Sequence, residues 1–219
     1  FQAGKGQTVD IVGPTGAGKT TVANLLLRFY SPISGRISIN GCDIQDLSCK
    51  DLRGLYGLVM QDPWLFEGTV RENLLYGSPD ATDQKMIEAA QKAGVHEIIE
   101  QLSSGYQTIL SEGADNISQG EKQLLTIVRT LIRDPGILIL DEATSSMDTR
   151  TERRLQKAMD VLLKTRTCFV IAHRLSTIVN ADLILVMDQG TIVEQGSHQE
   201  LLKKNGRYAE LYQAQFAGA

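Results

Sequence analysis

Thr8-Val9-Asp10-Ile11-Val12 runs directly into Gly13-Pro14-Thr15-Gly16-Ala17-Gly18-Lys19-Thr20, and this junction decides how the chain is read. The first five residues have the β-branched character of a strand. The next eight fit G-x-x-x-x-G-K-[ST], and residues 20–29 read as a helix. Strand, glycine loop and helix in that order make an anion trap. Glycines without Cβ let the backbone curl so that several N–H groups point inward at one anion. The helix adds the positive end of its dipole. Lys19 supplies a point charge for β- and γ-phosphates, and the Thr20 hydroxyl suits a Mg²⁺ ion.

A second element points the same way. Ile137-Leu138-Ile139-Leu140 is an apolar strand ending in Asp141-Glu142. In a parallel sheet both acids stand at the carboxyl edge, where ligands of such folds bind. Asp141 suits the metal shell, and Glu142 is placed to polarise an attacking water.

Around these motifs the chain alternates. Strand-like segments are expected at 8–12, 36–39, 57–60, 137–140, 168–172, 183–187 and 191–194, and helices at 20–29, 83–93, 119–132, 149–163 and 208–216. Several strands are nearly continuous apolar runs, as in strands buried on both faces. The alternation implies an α/β fold with a mainly parallel sheet. From Asp62 to Pro135 the pattern is helical with no confident strand, which reads as an inserted helical subdomain. The boundaries expected are 1–62 and 136–219 for the core and 63–135 for the insert. Tyr208, Leu211, Tyr212 and Phe216 share one helix face, read as packing on the core.

Composition narrows the options. The 219 residues carry a formal net charge of −4, whereas proteins built around a polyanionic partner usually show a basic stripe. Three cysteines (Cys42, Cys49, Cys168) form no CxxC pair, which disfavours a disulfide scaffold or a structural zinc and suits a reducing compartment. The longest apolar runs fall far short of the ~18 residues a membrane helix needs. The chain opens on Phe1 rather than Met, and reads as a soluble piece of something longer.

Asn116-Ile117-Ser118-Gln119-Gly120-Glu121-Lys122-Gln123 resembles the signature motif of ABC-transporter ATPase domains. Gln61 resembles that family's glutamine loop, Ser145-Ser146-Met147-Asp148 its D-loop, and His173 its switch histidine. Five motifs in the right order cover almost the whole chain. Asp62-Pro63-Trp64-Leu65-Phe66 and Thr69-Val70-Arg71-Glu72-Asn73 are similar to the exporter branch, as in bacterial multidrug and lipid exporters. The resemblance implies a P-loop NTPase core of RecA type whose inserted helical subdomain carries the signature.

It also implies roles. Gly13, Pro14, Thr15, Gly16, Ala17, Gly18, Lys19, Thr20 and Thr21 would bind the phosphates of ATP, with Thr20, Gln61 and Asp141 around Mg²⁺. Glu142, His173, Gln61 and Lys19 would be catalytic. Ser118 and Gly120 would reach the γ-phosphate held by a second ATPase domain in a head-to-tail dimer, with Asp148 a cross-dimer contact. Transmembrane domains would be the further partner, at the cytoplasmic face of the membrane, and no nucleic acid is expected. Ser118 also reads as an ordinary helix cap, and Trp64 and Phe66 as either a docking patch or buried core. The signature departs from Leu-Ser-Gly-Gly-Gln but keeps Ser118 and Gly120. Asp10 stands mid-strand where the family has a small apolar residue. A buried unpaired carboxylate there would be costly, and an exposed strand would reconcile it. Two other readings share these motifs: an ATPase head acting on nucleic acid, and a non-hydrolytic half of a heterodimer.

Overall fold

The computed structural model describes residues 1–60, 62–141, 149–171 and 175–216. In chain order the strands are β1 (Thr8–Val12), β2 (Ser38–Ile39), β3 (Cys42–Asp43), β4 (Tyr56–Val59), β5 (Gly68–Thr69), β6 (Ile109–Leu110), β7 (Ile137–Asp141), β8 (Thr167–Ile171), β9 (Leu183–Asp188) and β10 (Thr191–Gly196). The helices are α1 (Lys19–Leu26), α2 (Cys49–Gly54), α3 (Val70–Leu75), α4 (Asp83–Lys92), α5 (His96–Glu100), α6 (Gln119–Arg133), α7 (Thr149–Leu163), α8 (Leu175–Asn180), α9 (His198–Lys204) and α10 (Arg207–Phe216).

The chain divides into two compact units. One comprises Phe1–Gly57, β7 and the chain from Arg166 onward; the other comprises Leu58–Pro135 and α7. The main sheet has the order β10-β9-β1-β8-β7-β4. β1 pairs in parallel with β8 and β9, and β8 in parallel with β7, while β10 returns antiparallel on β9. The central strands bury nearly every residue, as in Val9, Ile11, Leu138–Leu140 and Ile184–Val186. That two-sided burial is why they appear as unbroken apolar runs. β10 alternates between exposed and half-buried positions, as an edge strand does.

Register sets the functional edge. Asp141 pairs with Ile171, and Ile171 pairs with Ile11, so the three form one row across the sheet. With strands ~4.8 Å apart, Asp141 lies roughly 10 Å from the end of β1. The loop that follows β1 therefore opens beside this carboxylate.

Three features differ from the sequence reading, and the first two have clear causes. Asn40 and Gly41, both at positive φ, close a two-residue hairpin between β2 and β3, the turn that Asn-Gly favours. The helical region contains β5 and β6, a two-residue pairing of Gly68 with Leu110 and Thr69 with Ile109. Elements so short leave no period in sequence. Asp10 is fully buried, between Val170 and Ile184, so exposure of the strand does not account for it.

In the second unit, α6 is a long amphipathic helix burying Leu124, Leu125, Ile127, Val128 and Ile132. It packs on α7, whose buried face is Leu155, Ala158, Met159 and Leu162. Each fully buried aliphatic side chain contributes roughly 1.5–3 kcal/mol. At the C-terminus, Tyr208 is buried and receives a contact between its hydroxyl and His198 Nδ1 at 2.6 Å. The Glu194 carboxylate accepts from the amides of Arg207 (2.9 Å) and Tyr208 (3.0 Å) and so caps α10. Among the described residues no helix is long and apolar enough to cross a membrane.

The cysteines divide by environment. Cys42 and Cys49 are exposed and Cys168 is buried in β8. Burial pushes the Cys168 thiol up to about 12; Arg166 offsets this and Asp10 adds to it. The thiolate is the reactive form, so Cys168 stays protonated near neutral pH. A thiol-disulfide reagent at pH 8 should modify two cysteines in the native chain and a third only on unfolding. Rapid native labelling at Cys168 would contradict its placement.

Candidate nucleotide-binding site

The glycine loop lies where β1 ends and α1 begins. Gly13 has φ +156°, and a Cβ there would collide with the carbonyl oxygen of Met187 at the end of β9. Gly18 is the N-cap of α1 at φ +98°, with no side chain capping the helix. A left-handed residue at this place turns the loop over the helix end without the steric cost a side chain brings. Ala17 N donates to Pro14 O at 3.2 Å, closing a turn within the loop. Gly190 N, from the β9–β10 turn, donates to Ala17 O at 3.0 Å. The phosphate loop is thus braced from behind by the β9–β10 hairpin.

Donors collect at this end. The first intrahelical bond of α1 at its start is Val22 N to Gly18 O at 3.2 Å, so the amides of Lys19, Thr20 and Thr21 precede it. Such first-turn amides, with the helix dipole behind them, are an anion site. Thr15, Gly16, Thr20 and Thr21 are exposed, while Gly13, Pro14, Gly18 and Lys19 are half-buried and Ala17 is buried.

Lys19 Nζ donates to Gly13 O at 2.8 Å and Pro14 O at 2.9 Å. An ammonium has three protons, which leaves one to direct at a ligand. Burial lowers the Lys19 pKa, and the charge of Asp141 pulls it back up. Lys19 and Asp141 therefore share one electrostatic environment at the carboxyl edge of the sheet.

The expected metal set is oxygen-only in its described part, a Thr20 hydroxyl and an Asp141 carboxylate. Mg²⁺ uses such hard donors, taking one or two from protein and the rest from phosphates and water. Among the described residues no group of three or more His, Cys, Asp or Glu could hold a metal by itself. The donor chemistry fits an ion carried in with a nucleotide. Gln61, Glu142, Asp148 and His173 lie outside the described residues.

Ser118 and Gly120 belong to the second unit. Ser118 is the N-cap of α6 in a full capping box with Glu121. Its amide and hydroxyl donate to Glu121 Oε2 at 2.8 and 2.7 Å, and Glu121 N donates to Ser118 Oγ at 3.3 Å. The Gln119 and Gly120 amides precede the first intrahelical bond, Lys122 N to Ser118 O at 3.0 Å. Ser118 is thus a helix cap, and its helix end is also an anion-type terminus. The Ser-x-x-Glu spacing is the sequence signal for that box.

Two contributors to the loop carry no motif of their own. Met187 and Gly190 brace it through main-chain atoms, and their only sequence trace is the strand–turn pattern Met187-Asp188-Gln189-Gly190. Trp64 is exposed and Phe66 half-buried, while Leu65 between them is the buried residue.

A glycine loop at the carboxyl edge of a parallel sheet, with its lysine under the influence of a strand-end aspartate, defines a P-loop nucleotide-binding domain. The family model described as ABC transporter matches residues 1–145, and the chain belongs to that family as one of its ATP-binding ATPase domains. It is 51% identical over 216 residues to an uncharacterized ABC transporter ATP-binding protein, YfiC, of Bacillus subtilis, covering 99% of this chain and 36% of the relative. It is 54% identical over 209 residues to a fatty acid ABC transporter ATP-binding/permease protein of Mycobacterium tuberculosis, covering 95% and 33%. Among solved structures it is similar to a bacterial Atm1-family ABC exporter with ATP bound, with a TM-score of 0.90, 46% identity, and 99% of this chain against 38% of that one. The chain spans about a third of the length of each of these three.

Two substitutions separate the loop from the signature helix. Lys19→Ala should weaken binding of a fluorescent ATP analogue by roughly 10- to 100-fold, the loss of one charge-assisted bond. Ser118→Ala should cost about 1 kcal/mol of stability in thermal unfolding and leave that affinity unchanged. Parallel loss of affinity in both variants would contradict the assignment of nucleotide binding to the glycine loop.

Proposed function

We propose that this chain is the ATP-hydrolysing motor domain of an exporter. It closes head-to-tail on a second such domain over two nucleotides, and opens after hydrolysis to drive attached transmembrane domains. The observation that carries this reading is the braced loop of residues 13–20, whose Lys19 feels the charge of Asp141 at the sheet's carboxyl edge. The exporter names among the relatives support the direction of transport.

The chain's own residues divide the work. Main-chain amides from Gly16 to Thr21 receive the phosphate oxygens, and Lys19 offsets charge on the β- and γ-phosphates. Thr20, Asp141 and Gln61 would hold Mg²⁺, which would supply positive charge to offset that of the phosphates. Glu142 accepts a proton from the water that attacks the γ-phosphorus, as the bond to the ADP oxygen breaks. His173 holds that water and the γ-phosphate in place. Ser118, the amides of Gln119 and Gly120, and Asp148 meet the nucleotide and chain of the opposing domain. The capping box bears on that step, because the Ser118 hydroxyl must turn from Glu121 to reach a phosphate.

The aromatic face of Trp64, Phe66 and Tyr76 is where a helix of the transmembrane domains docks. Trp64 is 59% and Tyr76 56% exposed, and exposed apolar surface of this kind marks contact sites. The domain then works at the cytoplasmic face of the membrane.

Glu142→Gln keeps the shape of the site but removes the base. Phosphate release at high protein concentration should fall by roughly 10²- to 10⁴-fold, with ATP binding retained. Undiminished hydrolysis in this variant would overturn the role given to Glu142.

A further inference from the structure

Asn73 is fully buried in α3 and tied to the segment ahead of it. Its Nδ2 donates to Phe66 O at 2.9 Å and Thr69 O at 3.2 Å, and its Oδ1 accepts from Phe66 N at 3.1 Å. Arg129, in α6, lies across this knot. Nε donates to Asn73 O at 2.7 Å, one terminal nitrogen to Asn73 Oδ1 at 3.1 Å, and the other to Trp64 O at 3.0 Å. The guanidinium carbon sits 5.5 Å from the Tyr76 ring centroid. The guanidinium donates from three separate nitrogens fixed in one plane, a spacing that an ammonium, with its protons on a single nitrogen, does not reproduce.

The rings stand on this knot. Trp64 is 5.7 Å from Tyr76 and 5.8 Å from Phe66, and Phe66 is 5.3 Å from Tyr76, centroid to centroid. Leu65, between Trp64 and Phe66 in the chain, is buried. The backbone that presents Trp64 and Phe66 is therefore held by Asn73 and Arg129, chiefly through main-chain atoms, while Tyr76 meets Arg129 through its ring. The grip is indifferent to which apolar side chains the face carries.

We propose that Arg129 is a positioning residue that makes the aromatic face a rigid extension of α6, the helix capped by Ser118. Arg129 lies eleven residues from Ser118 in the sequence, roughly 16 Å along the helix. A helix of this length moves as a rod, so a shift at the Ser118 end is delivered to the Trp64 backbone, and a push on the rings returns to Ser118. This deepens the function proposed above and rests on it only for what sits at each end. The clamp itself stands on its own geometry.

Trp64 is the only tryptophan in the chain, so intrinsic fluorescence reports this face alone. The experiment compares the wild type, Arg129→Lys and Arg129→Ala by thermal unfolding, binding of a fluorescent ATP analogue, and acrylamide quenching of Trp64. Arg129→Lys should stay folded and bind nucleotide as the wild type does, while Trp64 quenching without nucleotide rises by roughly twofold as the segment opens locally. In the full-length protein in lipid vesicles, the same variant should lower kcat and leave the KM for ATP unchanged, the mark of lost transmission rather than lost binding. Arg129→Ala should show the larger quenching change; if it does not fold, Arg129→Lys decides. Wild-type quenching and kcat in Arg129→Lys would overturn the proposal. A wild-type chain that binds no ATP would sink the functional reading instead, and the nucleotide-free quenching comparison would still decide the clamp.

Discussion

Between Gly13 and the carbonyl oxygen of Met187 there is no room for a side chain. That close approach is what the site depends on. β1 and β9 come from opposite ends of the chain and pair in parallel, and the first residue beyond β1 must pass the end of β9. Glycine alone can do so, and the loop that follows is then steered over the start of α1 and fixed by the bond from Gly190 to Ala17. The path of this loop is a product of sheet assembly. A glycine-rich peptide in isolation would spread over many conformations and bear the entropic cost of ordering them.

The electrostatics follow from the same arrangement. Pulling Lys19 into the loop partly desolvates its ammonium and lowers its pKa, and the parallel register brings Asp141 near enough to raise it again. Cation and carboxylate are kept apart by an intervening strand, β8, so neither neutralises the other in a direct ion pair. Each remains available to a ligand, the ammonium for phosphate oxygen and the carboxylate for a hard metal ion. A parallel sheet holds such groups on one edge because its strands all end there.

Legibility in sequence tracked the length and burial of each element. β1, β7, β8 and β9 were readable because strands buried on both faces leave continuous apolar runs, and α7 because its apolar face repeats over four turns. The glycine loop was readable because its spacing is set by the backbone geometry it must adopt. Two-residue strands such as β5 and β6, and helices of five to seven residues such as α5 and α9, are too short to show a period. The bracing of the loop by Met187 and Gly190, and the grip of Arg129 on Trp64 and Asn73, were illegible for a different reason. They are contacts to main-chain atoms between segments remote in sequence, and main-chain acceptors have no letter in the sequence. Asp10 was visible as an anomaly, but its full burial between two neighbouring strands was not.

The central claim is that the amides from Gly16 to Thr21 receive the nucleotide's phosphates. Amide chemical shifts of the ¹⁵N-labelled chain, titrated with ADP or a slowly cleaved ATP analogue in the presence of magnesium, test it residue by residue. The largest changes should fall on Gly16, Gly18, Lys19 and Thr20, the shift expected of amides that take up hydrogen bonds to an anion. Saturating nucleotide that leaves those four resonances in place, while others move, would contradict it.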